Sequence, residues 1–223
     1  MKTKMNLKTT LFSFLLAFIL FSCKKENTFS DFKYKDKPAI LTCDNLNSKL
    51  YQEALYTFED DLLNFYKRNN ANSTLAQSYS QFIRNSIYGR IKYEDIISEH
   101  TYKVFEALKD ENDLWDANNQ KSHLNYKSAI ITCMANNIKD VALKTTFNSL
   151  ISTNFMDPKL FGSPLMAKYT NTLSDKYLAT YVALDLFYAK LFDIDFSNVN
   201  FEKPQPIDFN VIPPKTPSGA PIN

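Results

Sequence analysis

Few side chains in this 223-residue sequence are of the types that carry out proton-transfer, nucleophilic or metal chemistry. Two histidines occur, His100 in SEHTYK and His123 in KSHLNY. Zinc requires several ligands converging on one point, and the sequence has neither HExxH nor CxxC. A cluster of Glu94, Asp95, Glu99 and His100 can be drawn, but acids at the start of a helix more often serve the helix dipole and solvent. No metal and no cofactor is therefore expected. Glu59, Asp60 and Asp61 form an acidic run, yet a hydrolase needs two carboxyls facing each other across a cleft; this run reads as a solvated helix face. There is no GxSxG elbow, no GxGxxG and no P-loop, so no catalytic residue is assigned.

One acid stands out. Asp185 lies in ATYVALDLFYAKLF, and stepping around a helix places it between Phe192 and Leu178, with Lys176, Thr180 and Lys190 on the opposite arc. Its carboxyl therefore faces the core. A buried carboxylate must be paired, hydrogen-bonded or protonated. Arg68, Arg84 and Arg90 are the only arginines, and 13 tyrosines offer hydroxyl donors as well. Two readings stay open: a satisfied buried contact, or a ligand-binding or catalytic acid in a cavity between helices.

The elements that would position such residues are helices. Only Gly89, Gly162 and Gly219 interrupt as glycines, and six of the nine prolines sit at or after Pro204. Leu50, Leu55, Phe58, Leu62 and Phe65 follow one face of a first helix, with Asp44 as its cap. Thr74 and Gln77 form a capping-box pattern opening a second helix that Gly89 ends after Tyr88. Further helices are predicted over 98–110, 126–138 and 140–152, then from Ser163-Pro164, with proline at the first helical position. The last and longest runs from Ser174 to Asp193. With no strand rhythm, the class is all-α: one compact bundle of six to seven helices over 38–202. Residues 24–37 read as a tether. The tail from Lys203, KPQPIDFNVIPPKTPSGAPIN, reads as extended or polyproline-like chain, either plain disorder or a segment that docks through IDFNVI.

The N-terminus addresses location. Lys2, Lys4 and Lys8 precede an apolar run from Leu11 to Phe21, too short for the roughly 20 residues of a spanning helix but within the length of a secretory h-region. The run ends in Leu20, Phe21, Ser22 and Cys23, and this resembles the lipobox of bacterial lipoproteins. The resemblance implies that residues 1–22 are cleaved, that the Cys23 thiol takes a diacylglyceryl group, and that the new N-terminus is acylated. A thiolate is the side-chain nucleophile suited to forming a thioether, and two or three acyl chains give stable attachment where one gives marginal binding. The following SCKKEN, with lysine after the cysteine, is similar to small helical lipoproteins of the Bacteroidota type, which implies an outer-membrane address. Residues 23–37 are then the lipidated end and tether.

If Cys23 carries lipid, Cys43 and Cys133 remain in a chain exported past the reducing cytoplasm. They form either a disulfide or two buried thiols acting as small hydrophobes. Loss of residues 1–22 removes three of the 26 basic side chains and none of the 24 acids, leaving a formal charge of −1. Without a cationic block, nucleic acid is not expected as a partner. The expected partners are the membrane, through the anchor, and an envelope protein. The expected role is a lipid-anchored binding or accessory module. An envelope enzyme or small-ligand carrier built around Asp185, and a structural surface protein, are the alternatives.

Overall fold

The computed structural model describes residues 27–202, and within them the fold is helical without a strand. Helix α1, Ser48–Lys67, buries Leu50, Leu55, Phe58 and Leu62 completely. Helix α2, Leu75–Ile87, opens with the Thr74/Gln77 capping box and is followed by Gly89 at φ +65°. That left-handed backbone is where glycine costs least. Helix α3, Glu99–Lys109, is capped by Ser98. After a long connection come α4, Ala129–Asn137, capped by Ser128, and α5, Val141–Ser152, capped by Asp140. Then follow α6, Pro158–Ala167, the single turn α7, Asn171–Ser174, and α8, Lys176–Tyr181. From α8 the chain runs on as a π-helical segment, Val182–Phe187, and a 3-10 segment, Tyr188–Asp193.

Helix α1 is the central post. It packs against α2, α3, α8 and the π segment, while α2 also meets α6, and α4 joins α5 to α8. Aromatic rings fill the centre: Phe58 lies edge-on to Phe82 and Tyr79 at 5.1 and 5.7 Å and 5.0 Å from Phe187. Such pairs contribute beyond the area they bury. A disulfide joins Cys43, just ahead of α1, to Cys133 on α4, with Cα atoms 6.0 Å apart.

The chain departs from the sequence expectations in several places. The first helix is capped by Asn47, whose side chain accepts from the Leu50 amide, and not by Asp44. The fourth begins at Ser128, because the Asn125 side chain accepts the Lys127 amide and holds a turn there. The sixth starts six residues early, where Asp157 caps and Pro158 takes the first helical position; Pro164 lies inside it. The expected single helix from Ser174 to Asp193 begins at Asp175 and widens to a π turn.

Two further differences concern charge. Glu59 and Asp61, expected on a solvated face, are buried, and only Asp60 is exposed. Glu59 accepts from the Lys176 ammonium at 2.8 Å and the Tyr79 hydroxyl at 3.0 Å. Asp61 accepts the Ser98 amide at 2.8 Å and the Thr101 hydroxyl, so it ties the start of α3 to α1. The stretch read as a tether does not stand off from residue 27 onward. Phe29 and Tyr34 rest on the core, and buried Glu53 accepts the amides of Lys33 and Tyr34 at 2.7 and 3.0 Å. Cys23 and the tail from Lys203 lie outside the described residues.

Candidate functional site

Asp185 is fully buried in the π segment. Its carboxylate meets no arginine. Instead it accepts three hydroxyls: Ser122 on Oδ1, Tyr181 on Oδ2 at 2.7 Å, and Tyr126 at 3.1 and 3.2 Å from the two oxygens. Tyr181 comes from one turn earlier on α8; Ser122 and Tyr126 come from the long connection between α3 and α4. Burial pushes the Asp185 carboxyl above the ordinary carboxylate range, and the hydroxyls of Ser122, Tyr181 and Tyr126 oppose that shift, with Lys190 adding a weaker field. Burial, and after it the charge of the same acid, raises the Tyr126 and Tyr181 phenols. π turns recur where a helix must redirect one side chain. Here the turn aims Asp185 under the connection and leaves the Leu186 carbonyl to accept the Tyr93 hydroxyl at 2.9 Å.

The connection itself, residues 110–128, is ordered without being helical. Trp115 and Leu124 form an isolated antiparallel bridge, supported by bonds from the Asp116 amide to the His123 carbonyl at 2.7 Å and from the Asn125 amide to the Leu114 carbonyl at 2.9 Å. The Asn119 side chain accepts from the Lys121 and Ser122 amides and donates to the Leu124 carbonyl. Trp115 donates its indole N–H to the Leu108 carbonyl at 2.7 Å. Asp185 locks this folded loop to the bundle from beneath. On the outer side, a cleft of about 420 Å³ lies between the loop and the end of α5, with Tyr126 in its wall.

A second polar centre lies on the opposite side of α1. His100 is buried beside Glu53, Nε2 to Oε1 2.6 Å, and Asp31 stands 3.7 Å from its other ring nitrogen. Next to it, a cavity of about 450 Å³ opens between residues 30–39 and α1, lined by Lys35, Lys37, Lys49, Gln52 and Glu53. Larger though it is, its fixed polar groups are already committed. Both Glu53 oxygens are bonded, and Gln52 holds the Tyr34 and Lys37 carbonyls. His123 follows Ser122 in the loop, and its ring lies 3.3 Å from the exposed Asp193. Among the described residues no three metal-ligating side chains converge.

Sequence reasoning located Asp185 but not its partners. Ser122 and Tyr126 sit in a loop with no periodic signal, and only Tyr181, one helical turn before Asp185, could have been paired with it by spacing. The Glu53–His100 contact joins residues 47 positions apart and has no local signature either. Compared with protein-family models, curated proteins and solved structures, the chain matches none.

Proposed function

We propose that this chain is a lipid-anchored envelope protein, held at the outer membrane through Cys23, whose helical body acts as a binding or accessory module. Support for the attachment comes from the sequence: a basic start, a short apolar run and the LFSC junction. The observation that carries binding over catalysis is the state of Asp185. A general acid or base must reach the reacting atom within hydrogen-bonding distance, and this carboxylate is fully buried with both oxygens taken by hydroxyls. Its bonds hold the 110–128 loop on the bundle, which is a positioning role. A rigid scaffold presenting a shaped loop is the common arrangement of a recognition surface. Residues 27–37 pack on α1 and α3, so the body would ride close to the bilayer on only the few residues between Cys23 and Asn27.

Fractionation tests the attachment. The wild-type protein should sediment with membranes and resist extraction by high salt, whereas Cys23→Ala should move to the soluble envelope fraction. Retention of Cys23→Ala on salt-washed membranes would rule the lipid anchor out.

A further inference from the structure

The cleft between the 110–128 loop and the end of α5 has five carboxamides among its ten lining residues. Its wall is carboxamide-rich. Asn119 and Asn125 are spent on holding the loop, through bonds to Leu124, Asp113 and the 121, 122 and 127 amides. Asn118, Gln120 and Asn154 also line the cleft and are exposed, with no side-chain hydrogen bond among the described residues. Asp116 accepts the Asn118 amide on one oxygen and makes no side-chain hydrogen bond through the other among the described residues. Each carboxamide offers two donors and an acceptor within one planar group, which is the complement of adjacent hydroxyls that both donate and accept. Tyr126 supplies a half-buried aromatic ring, fixed in place because its hydroxyl is held by Asp185.

From these features we infer that the cleft beside Tyr126 binds a saccharide, with Asn118, Gln120, Asn154 and Asp116 reading its hydroxyls and Tyr126 packing against a sugar face. Charge agrees with a ligand that is not strongly ionic: Lys121 and Lys127 at the rim are set against Asp116 and against Asp157, which pairs with Lys121 at 3.6 Å. The size agrees as well, since ligand clefts fall in the range of about 300–1,000 Å³. Pre-organisation is the purpose of the buried acid in this scheme. Holding a loop and its aromatic ring in the bound shape lowers the ordering cost of association. The inference rests on the binding-module reading and gives it a ligand class.

The single tryptophan, Trp115, lies in the same loop beside Asp116 but outside the cleft lining, so calorimetric heat reads binding and its fluorescence reads any change in the loop. The full-length protein in detergent should be titrated with maltohexaose, xylohexaose, mannohexaose and chitohexaose, following Trp115 fluorescence, calorimetric heat and the release of reducing ends. At least one hexasaccharide should bind with a dissociation constant in about the micromolar to millimolar range. The Asn118→Ala/Gln120→Ala double variant removes side chains that hold nothing else, so it should weaken that binding at least roughly tenfold at an unchanged melting temperature. Failure of all four sugars to bind, or equal binding by the double variant, overturns the saccharide site while leaving membrane attachment untouched. Binding accompanied by new reducing ends supports the site and its ligand class but overturns the non-catalytic reading.

Discussion

Replacing Asp185 with alanine removes the acceptor of three hydroxyls at once. Ser122 and Tyr181 are 2% and 0% exposed, so neither can turn to water. Tyr126 is half-buried at the cleft, so its hydroxyl is left out of the count. A stranded buried hydroxyl costs about 1 to 3 kcal/mol, so two of them set the loss at about 2 to 6 kcal/mol. Ser122 keeps one contact, from the Leu124 amide at 3.2 Å, and loss of a desolvated charge returns part of the penalty. The expected value for Asp185→Ala is therefore in the lower half of that range, about 3 kcal/mol. Asp185→Asn keeps the volume and one carbonyl oxygen while removing the buried charge, so its cost should be about 1 kcal/mol. Urea midpoints of the two variants and the wild type measure this directly, with the slope checked for constancy. A midpoint for Asp185→Ala equal to or above wild type would refute the reasoning and make Asp185 a strained acid kept for function.

Four other outcomes follow from the same structure. Burial raises the folded-state carboxyl of Asp185 above its unfolded value of about 3.9. Between those two values the native state binds more protons, so this group's contribution to stability falls as pH rises through that window. The wild-type minus Asp185→Asn difference in unfolding free energy should show that slope, and a flat difference would contradict it. The disulfide closes residues 43 and 133 over a separation of 90, worth about 4 to 5 kcal/mol in the chain-entropy model; Cys43→Ser/Cys133→Ser should lose that much in urea. Glu53→Ala should cost about 1 to 3 kcal/mol by leaving buried His100 Nε2 without its partner, with faster hydrogen exchange at the Lys33 and Tyr34 amides; unchanged exchange there would refute the docking of residues 27–37. A Cβ on Gly162 would stand 2.5 Å from Ile87 Cδ1, so Gly162→Ala should destabilise, because overpacking at about 1 to 3 kcal/mol exceeds a helical gain of at most about 1.

Helices were legible where a local rule decides them. The Thr74/Gln77 box and Gly89 bracket α2 within a residue, and Ser98 and Asp140 cap the helices read from them. Ser163-Pro164 misled because Asp157-Pro158 offers the same cap-then-proline signal earlier, and the later proline is carried inside α6. The inward aim of Asp185 was legible from helical spacing, but its setting was not: a π turn shifts the register, and the loop partners depend on tertiary contacts. For the same reason Glu59 and Asp61 read as surface. Their burial comes from Lys176, Tyr79 and the start of α3, none of which is a sequence neighbour. Residues 27–37 read as a tether because mixed charge and absent periodicity do not reveal backbone amides aimed at a buried carboxylate.

The most direct test of the central claim is the mass of the mature N-terminal peptide from protein extracted out of membranes with detergent. The expected peptide begins at Cys23, lacks residues 1–22, and carries a thioether-linked diacylglyceryl group together with an N-linked acyl chain. A chain beginning at any other residue, or a Cys23 with no lipid mass, would contradict it.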